Sequence, residues 1–273
     1  MPSTPLHPRL GAALSLALLA GCPAGDNTEL EPPPDFVGDS DLNQYLFANF
    51  DAEDPVRMQQ GVEALIDQLA EVDLTGDQGD RRWNQPTLLT EEYYGGATIW
   101  ADADPYDQVS VAVAGWSAFP PSEQATITTI ADQTPFESSS SAAYNRTVRS
   151  GGDCFASGDC AVLDTINEVH RDNALLDVWY DTPKFFRWVE LTDGTSAFVA
   201  RAWLEEAYTG ENGANTLDQF TALEVKAPLD GGTLLYTIVW GASDPPLGEV
   251  IVQNATANGI DEAWEKTDTF LGQ

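Results

Sequence analysis

The sequence predicts an α+β domain over residues 42–273: an antiparallel sheet of about 7–9 strands, preceded by a helix and closed by another. Three observations carry this. Apolar residues recur at three- and four-residue steps at both ends of the region. From about residue 96 the period changes to two. Two turn signals, Asp193-Gly194 and Asp230-Gly231-Gly232, fall between alternating runs, as hairpins require.

Residues 42–75 read as helical. Asp54 can cap and Pro55 fits a first turn, where its missing N–H is not needed. Met58, Val62, Leu65, Ile66, Leu69 and Val72 then keep one face; Gly61 weakens the pattern without breaking it, and the Gly76–Asp80 stretch ends it. Candidate strands are 96–101, 108–117, 125–131, 143–149, 174–180, 184–192, 195–208, 217–226 and 233–241. The last four read as consecutive antiparallel neighbours. In 195–208 one face carries Phe198, Ala200, Ala202, Leu204 and Tyr208, and reads as core. The other, with Val199, Arg201, Trp203 and Glu205, reads as solvated or as the wall of a polar-aromatic cavity. Residues 247–271 form the closing helix, on which Ile260, Trp264, Thr267 and Leu271 share a face; Asn258-Gly259 is a candidate break, after which Asp261 can cap.

Charge narrows the partners. The 273 residues hold 12 Lys+Arg against 44 Asp+Glu, a net charge of -32, so a nucleic-acid footprint is excluded. With 42% hydrophobic residues and 8 Trp, the chain can still build a real core. Only Lys184, Lys226 and Lys266 are lysines. An acid-rich, lysine-poor composition suits high salt, which screens self-repulsion.

The first residues address the chain. Leu10–Ala20 is apolar but shorter than the roughly 20 residues needed to span a bilayer, which is the proportion of a signal-peptide core. It runs into Leu19-Ala20-Gly21-Cys22, which resembles the lipobox of bacterial lipoproteins. The resemblance implies a signal peptide over 1–21, cleavage before Cys22, and a diacylglycerol on its sulfur. The alternative is an ordinary secretory signal. It lacks a small-x-small cleavage site, because Leu18 or Leu19 would stand at the third position back. Residues 22–41, with Pro32-Pro33-Pro34, read as an acidic, Pro-rich tether of about 60 Å at full extension. The expected location is the cell envelope, with the lipid as membrane contact. The absence of an Asp after Cys22 leans toward the outer membrane.

Few groups suggest chemistry. Cys154 and Cys160 lie in an exported, Gly-rich segment and are expected to form a disulfide; the alternative is a zinc site with His170. Gly115-Trp116-Ser117-Ala118-Phe119 lacks the second glycine of a nucleophile elbow. No carboxylate pair stands out among the 44 acids. Calcium is the other candidate ion, at Asp73, Asp77 and Asp80 or at Asp102, Asp104 and Asp107, with plain acidic turns as the alternative; no other cofactor is expected.

The order of a helix, many antiparallel strands and a closing helix resembles the helix-grip fold of START-type lipid-transfer domains. That resemblance implies a sheet wrapped around the closing helix, with an apolar cavity between them; a lipocalin-like barrel with outer helices is the alternative. The expected function is binding of a hydrophobic or amphiphilic small molecule, with Trp188, Trp203, Trp240 and Trp264 as candidate contacts. A structural or protein-interaction lipoprotein without a cavity, and an envelope hydrolase, remain as other readings.

Overall fold

The computed structural model describes residues 42–84, 88–99, 104–172, 176–211, 213, 215–244 and 248–273. Cys22, the signal-like segment, the tether and Asp102 lie outside them. Two helices come first, α1 (Leu42–Ala48) and α2 (Pro55–Leu69). The predicted 42–75 helix is divided because Asp54 turns the chain and caps α2, accepting from the Val56 N–H at 3.0 Å.

Nine strands follow: β1 (Arg82–Asn84), β2 (Val109–Ser117), β3 (Ser141–Ser150), β4 (Val162–Asp172), β5 (Asp177–Glu190), β6 (Ser196–Trp203), β7 (Tyr208–Thr209), β8 (Thr216–Leu229) and β9 (Gly232–Asp244). They form one antiparallel sheet in the order β1-β2-β9-β8-β6-β5-β4-β3, with β7 beside β8. After β2 the chain crosses to the far edge through α3 (Pro121–Thr126), then walks back by hairpins until β9 meets β2. The sheet is open, ending at β1 and β3, so the α+β class holds and the closed-barrel alternative does not. The β8–β9 hairpin turns on Asp230 (φ 50°) and Gly231 (φ 78°), the positive pair that a tight two-residue loop demands.

Several predicted strands are corrected. Residues 125–131 end α3 and pass into a 3-10 turn at Ile127–Thr129, because Pro120-Pro121 starts a helix that outweighs the β-branched run. Residues 96–99 form no strand; Gly95, at φ 58°, turns the chain before them. The runs 174–180 and 184–192 are one strand, β5, with Pro183 inside it. Its missing N–H is tolerated because pairing with β6 begins only at Lys184. The run 195–208 stops at Trp203 and resumes as β7. Strand β4 was not anticipated.

The sheet's two faces are covered differently. On one, Leu46, Phe47 and Met58 of α1 and α2 pack against Leu223, Tyr236 and Trp240 in the largest core cluster. Each such side chain contributes about 1.5–3 kcal/mol by leaving water. Arg201 lies on this face, 2% exposed. It donates to the Phe47 carbonyl at 3.2 Å, pairs with Asp51, and sits 4.6 Å from the Phe50 ring centre. The mixed face of β6 is therefore packed core, and neither of the two readings of it, solvated or the wall of a polar-aromatic cavity, holds.

The other face carries α4 (Glu249–Leu271), which continues unbroken through Asn258-Gly259. Asp261, expected to cap, is instead buried and paired with Arg82 at 2.6 Å and Arg81 at 3.5 Å. Val111 and Val113 of β2 meet Ala257, Ile260 and Trp264. A Cβ on Gly115 would stand 2.7 Å from the Trp264 ring, so glycine is needed there for the helix to seat. Asp268, near the end of α4, accepts from Ser117 Oγ at 2.7 Å.

Candidate functional site

Between α4 and the sheet lies a cavity of about 550 Å³, partly open to solvent. Strand alternation supplies its walls. Phe220, Ala222, Glu224 and Lys226 of β8 face it, while Leu223 and Val225 face the α1/α2 core. Thr182, Lys184 and Phe186 of β5 and Tyr144 and Arg146 of β3 face it in the same way. From α4 come Val252, Ile260, Ala263 and Trp264.

Its polar groups fall into two sets. Arg171, on β4, donates to Ser141 Oγ at 2.5 Å and Tyr180 Oη at 3.3 Å, with Glu137 3.7 Å away. Burial pushes the Tyr180 hydroxyl up, and Arg171 offsets only part of that. The second set is Arg146, Lys184, Glu224 and Lys226. Lys184 Nζ lies 2.5 Å from Glu224 Oε1. Arg146 donates from Nε to Asn167 Oδ1 and from Nη1 to the Thr128 carbonyl, each at 2.8 Å. Lys226 donates to Gln124 Oε1 at 3.0 Å, and Gln124 is held in turn by Ser117 and Asp268.

Electrostatics sort this second set. Burial pushes the Glu224 carboxyl up, but Lys184, Lys226 and Arg146 together outweigh it and hold it below the usual range. Burial works against the Lys184 ammonium too, and Glu224 overcomes that, leaving it above its ordinary value. For Lys226 burial wins. With Glu224 already engaged by Lys184, its ammonium falls to about 8.

Of the four candidate tryptophans, Trp264 lines the cavity. Trp188 packs beside Phe155 and donates to its carbonyl at 2.8 Å, among the aromatics at one end of the same face. Trp203, stacked on Phe185, and Trp240, fully buried near Phe47, lie on the opposite face. Cys154 and Cys160 are disulfide-bonded, with Cα atoms 5.2 Å apart, in the loop that carries Phe155. His170 stacks on Trp179 and meets Asp177 at 3.1 Å, away from Ser117. Asp73 and Asp104 spend carboxylate oxygens on local turns. Among the described residues no group of three or more His, Cys, Asp or Glu is placed to hold a metal ion.

The cationic groups were missed by sequence reasoning. One signal could have found them: two of the three lysines, Lys184 before Phe185-Phe186 and Lys226 between Val225 and Ala227, sit inside predicted strands.

No protein-family model and no curated protein matches the chain. Solved structures are similar to it. One is the STAR-related lipid transfer protein from Xanthomonas axonopodis, with a TM-score of 0.43 and 10% identity, over 70% of this chain and 93% of that one. Another is human StAR-related lipid transfer protein 5, with a TM-score of 0.40 and 10% identity, over 80% and 97% of the respective chains.

Proposed function

We propose that this chain is a lipid-anchored bacterial envelope protein whose 42–273 region holds a hydrophobic or amphiphilic small molecule between the sheet and α4. The observation that carries the binding reading is the cavity itself. A packed domain would bring α4 down onto the strands; here about 550 Å³ is left between them. Small-molecule pockets span roughly 300–1,000 Å³ and are mainly apolar with a few placed polar groups, as this one is. The anchor reading rests on Leu19-Ala20-Gly21-Cys22 and on the tether after it. Two acyl chains on Cys22 would give stable attachment, and the residue after it favours the outer membrane.

The binding test is native purification followed by mass spectrometry of extracted lipid, with titration of an apolar dye into delipidated protein. Near-stoichiometric lipid and dye binding without unfolding are expected. Both should be lost in a folded Ala222→Phe variant, which fills the cavity. Delipidated protein that binds no dye, and carried no lipid, would overturn the reading. For the anchor, Cys22→Ser should leave the membrane fraction or accumulate as precursor; unchanged partitioning would refute it.

A further inference from the structure

We infer that the ligand is an anionic amphiphile, with its carboxylate or phosphate monoester seated among Arg146, Lys184 and Lys226 and its chain directed toward Val109, Leu217 and Phe220. This rests on the cavity reading above and names the class of molecule that the cavity takes.

Charge balance points to an anion. Four of the chain's 12 basic residues, Arg146, Arg171, Lys184 and Lys226, line one cavity in a protein of net charge -32. Arg171 has Glu137, and Lys184 has Glu224. Among the described residues, no carboxylate lies within ion-pair distance of Arg146 or Lys226. Their partners are neutral oxygens, of Thr128, Asn167 and Gln124. Both are under a tenth exposed, at 6% and 9%. The Phe186 face, 5.1 Å from Arg146, and the Phe198 face, 5.7 Å from Lys226, supply part of the missing stabilisation. Glu224 and Asp268 act on Lys226 only from beyond ion-pair distance, and Glu224 is already engaged by Lys184. Buried cations so short of counter-charge are costly, and an anion entering the cavity removes that cost. A neutral head group would not.

Polarity also changes along the strands. The register places Glu224 opposite Ala200 and Lys226 opposite Phe198, with Lys184 opposite Ala202. Moving along β8 from Lys226 through Ala222 to Phe220 covers six residues, about 20 Å at about 3.3 Å per residue. At the far end the wall is Leu217, Phe220 and Val109, with Val252 from α4. The cations without a close carboxylate thus lie at one end and an apolar wall at the other, where Arg171, hydrogen-bonded to Tyr180 beside Phe220, is already paired with Glu137; the separation suits a long hydrocarbon chain.

The test is displacement of bound dye from delipidated protein by hexadecanoate, hexadecyl phosphate, hexadecanol and inorganic phosphate. At least one of the two acids should bind about tenfold or more tightly than the alcohol, the worth of one charge-assisted hydrogen bond. Whichever acid is preferred identifies the head group. In Lys226→Met the preference for acid over alcohol should shrink about tenfold, and Lys226→Arg should keep it. Equal binding of acid and alcohol would overturn the inference while leaving the cavity reading intact. Inorganic phosphate competing as well as hexadecyl phosphate would overturn the amphiphile. Absence of any dye binding would instead defeat the cavity reading.

Discussion

On the face covered by α1 and α2, Arg201 is locked in place: Asp51 and the Phe47 carbonyl take its Nη groups, and Phe50 and Trp203 flank its plane. Arg187 does similar work there, donating to the Phe50 and Ala52 carbonyls at 2.5 and 3.1 Å, where the chain leaves α1. On the face under α4, Arg146, Lys184 and Lys226 share one close carboxylate, that of Glu224. Equal burial thus has two meanings within one sheet. A buried cation satisfied by backbone and aromatic neighbours is a packing piece, which fastens a short helix. A buried cation left with neutral partners beside a void is, on the proposed reading, a group prepared for a ligand.

The contrast can be broken by mutation. Trp240→Ala, on the packed face and fully buried, should cost about 3–5 kcal/mol in denaturant unfolding. Trp264→Ala borders the cavity and should cost under about 2 kcal/mol while enlarging the site for dye. Comparable losses would mean that α4 is as tightly packed as α1 and α2.

Titration sharpens it next. The Lys226 pKa is lowered from 10.5 to about 8 in the folded protein, so between those values the unfolded chain binds more protons. Stability should therefore rise as pH increases above about 8, by about 2 kcal/mol at pH 9.5 relative to Lys226→Met, and the profile should be flat below about 8, where both states hold the proton. Bound acid should abolish the difference by restoring the ammonium. Parallel pH profiles for wild type and variant, measured without ligand, would place Lys226 in water.

The Cys154–Cys160 bridge braces the loop whose Phe155 closes the Phe186 and Phe198 end of the α4 face. Cys154→Ser with Cys160→Ser should lower stability by about 2 kcal/mol or less, read by thermal melting, with the packed face unaffected in hydrogen exchange. The smallest effect expected is that of salt. The melting temperature should rise from low to molar sodium chloride as repulsion among carboxylates is screened. A flat response would mean the acids are too widely spaced to matter.

Much of the sheet was legible because its outer alternation is apolar. Val109, Val111 and Val113 marked β2, and Asp230-Gly231 before LLYTIVW marked the β8–β9 hairpin. Asp54-Pro55 marked α2 in the same direct way. Strand β4 escaped because Thr165, Asn167 and Arg171 are among its inward residues, so its period of two is not a period of hydrophobicity. The same blindness hid most of the cavity's lining, though not the cavity that the resemblance implied. Hydrophobic pattern finds faces that pack against protein, and a face that meets a partly polar void looks solvent-exposed. Parity separated the two faces of β6, yet nothing in the local sequence tells which one the first helices will cover. The choice is made by α1 and α2 at long range, and Trp203 and Trp240 followed it into the core.

The inward segregation of positive charge has a consequence for timing. Under the proposed reading, an acid approaching this protein would first meet a surface that repels it over a Debye length of about 10 Å at 0.1 M salt, and would be attracted only once among Arg146, Lys184 and Lys226. The outer field would slow capture, and the inner one would slow escape. Added salt should speed loading far more than it shortens residence, since the inner cations are shielded from it by burial. Ligand exchange would then be governed by the height of the gate rather than by the depth of the well, and a stopped-flow series in salt would read the two separately.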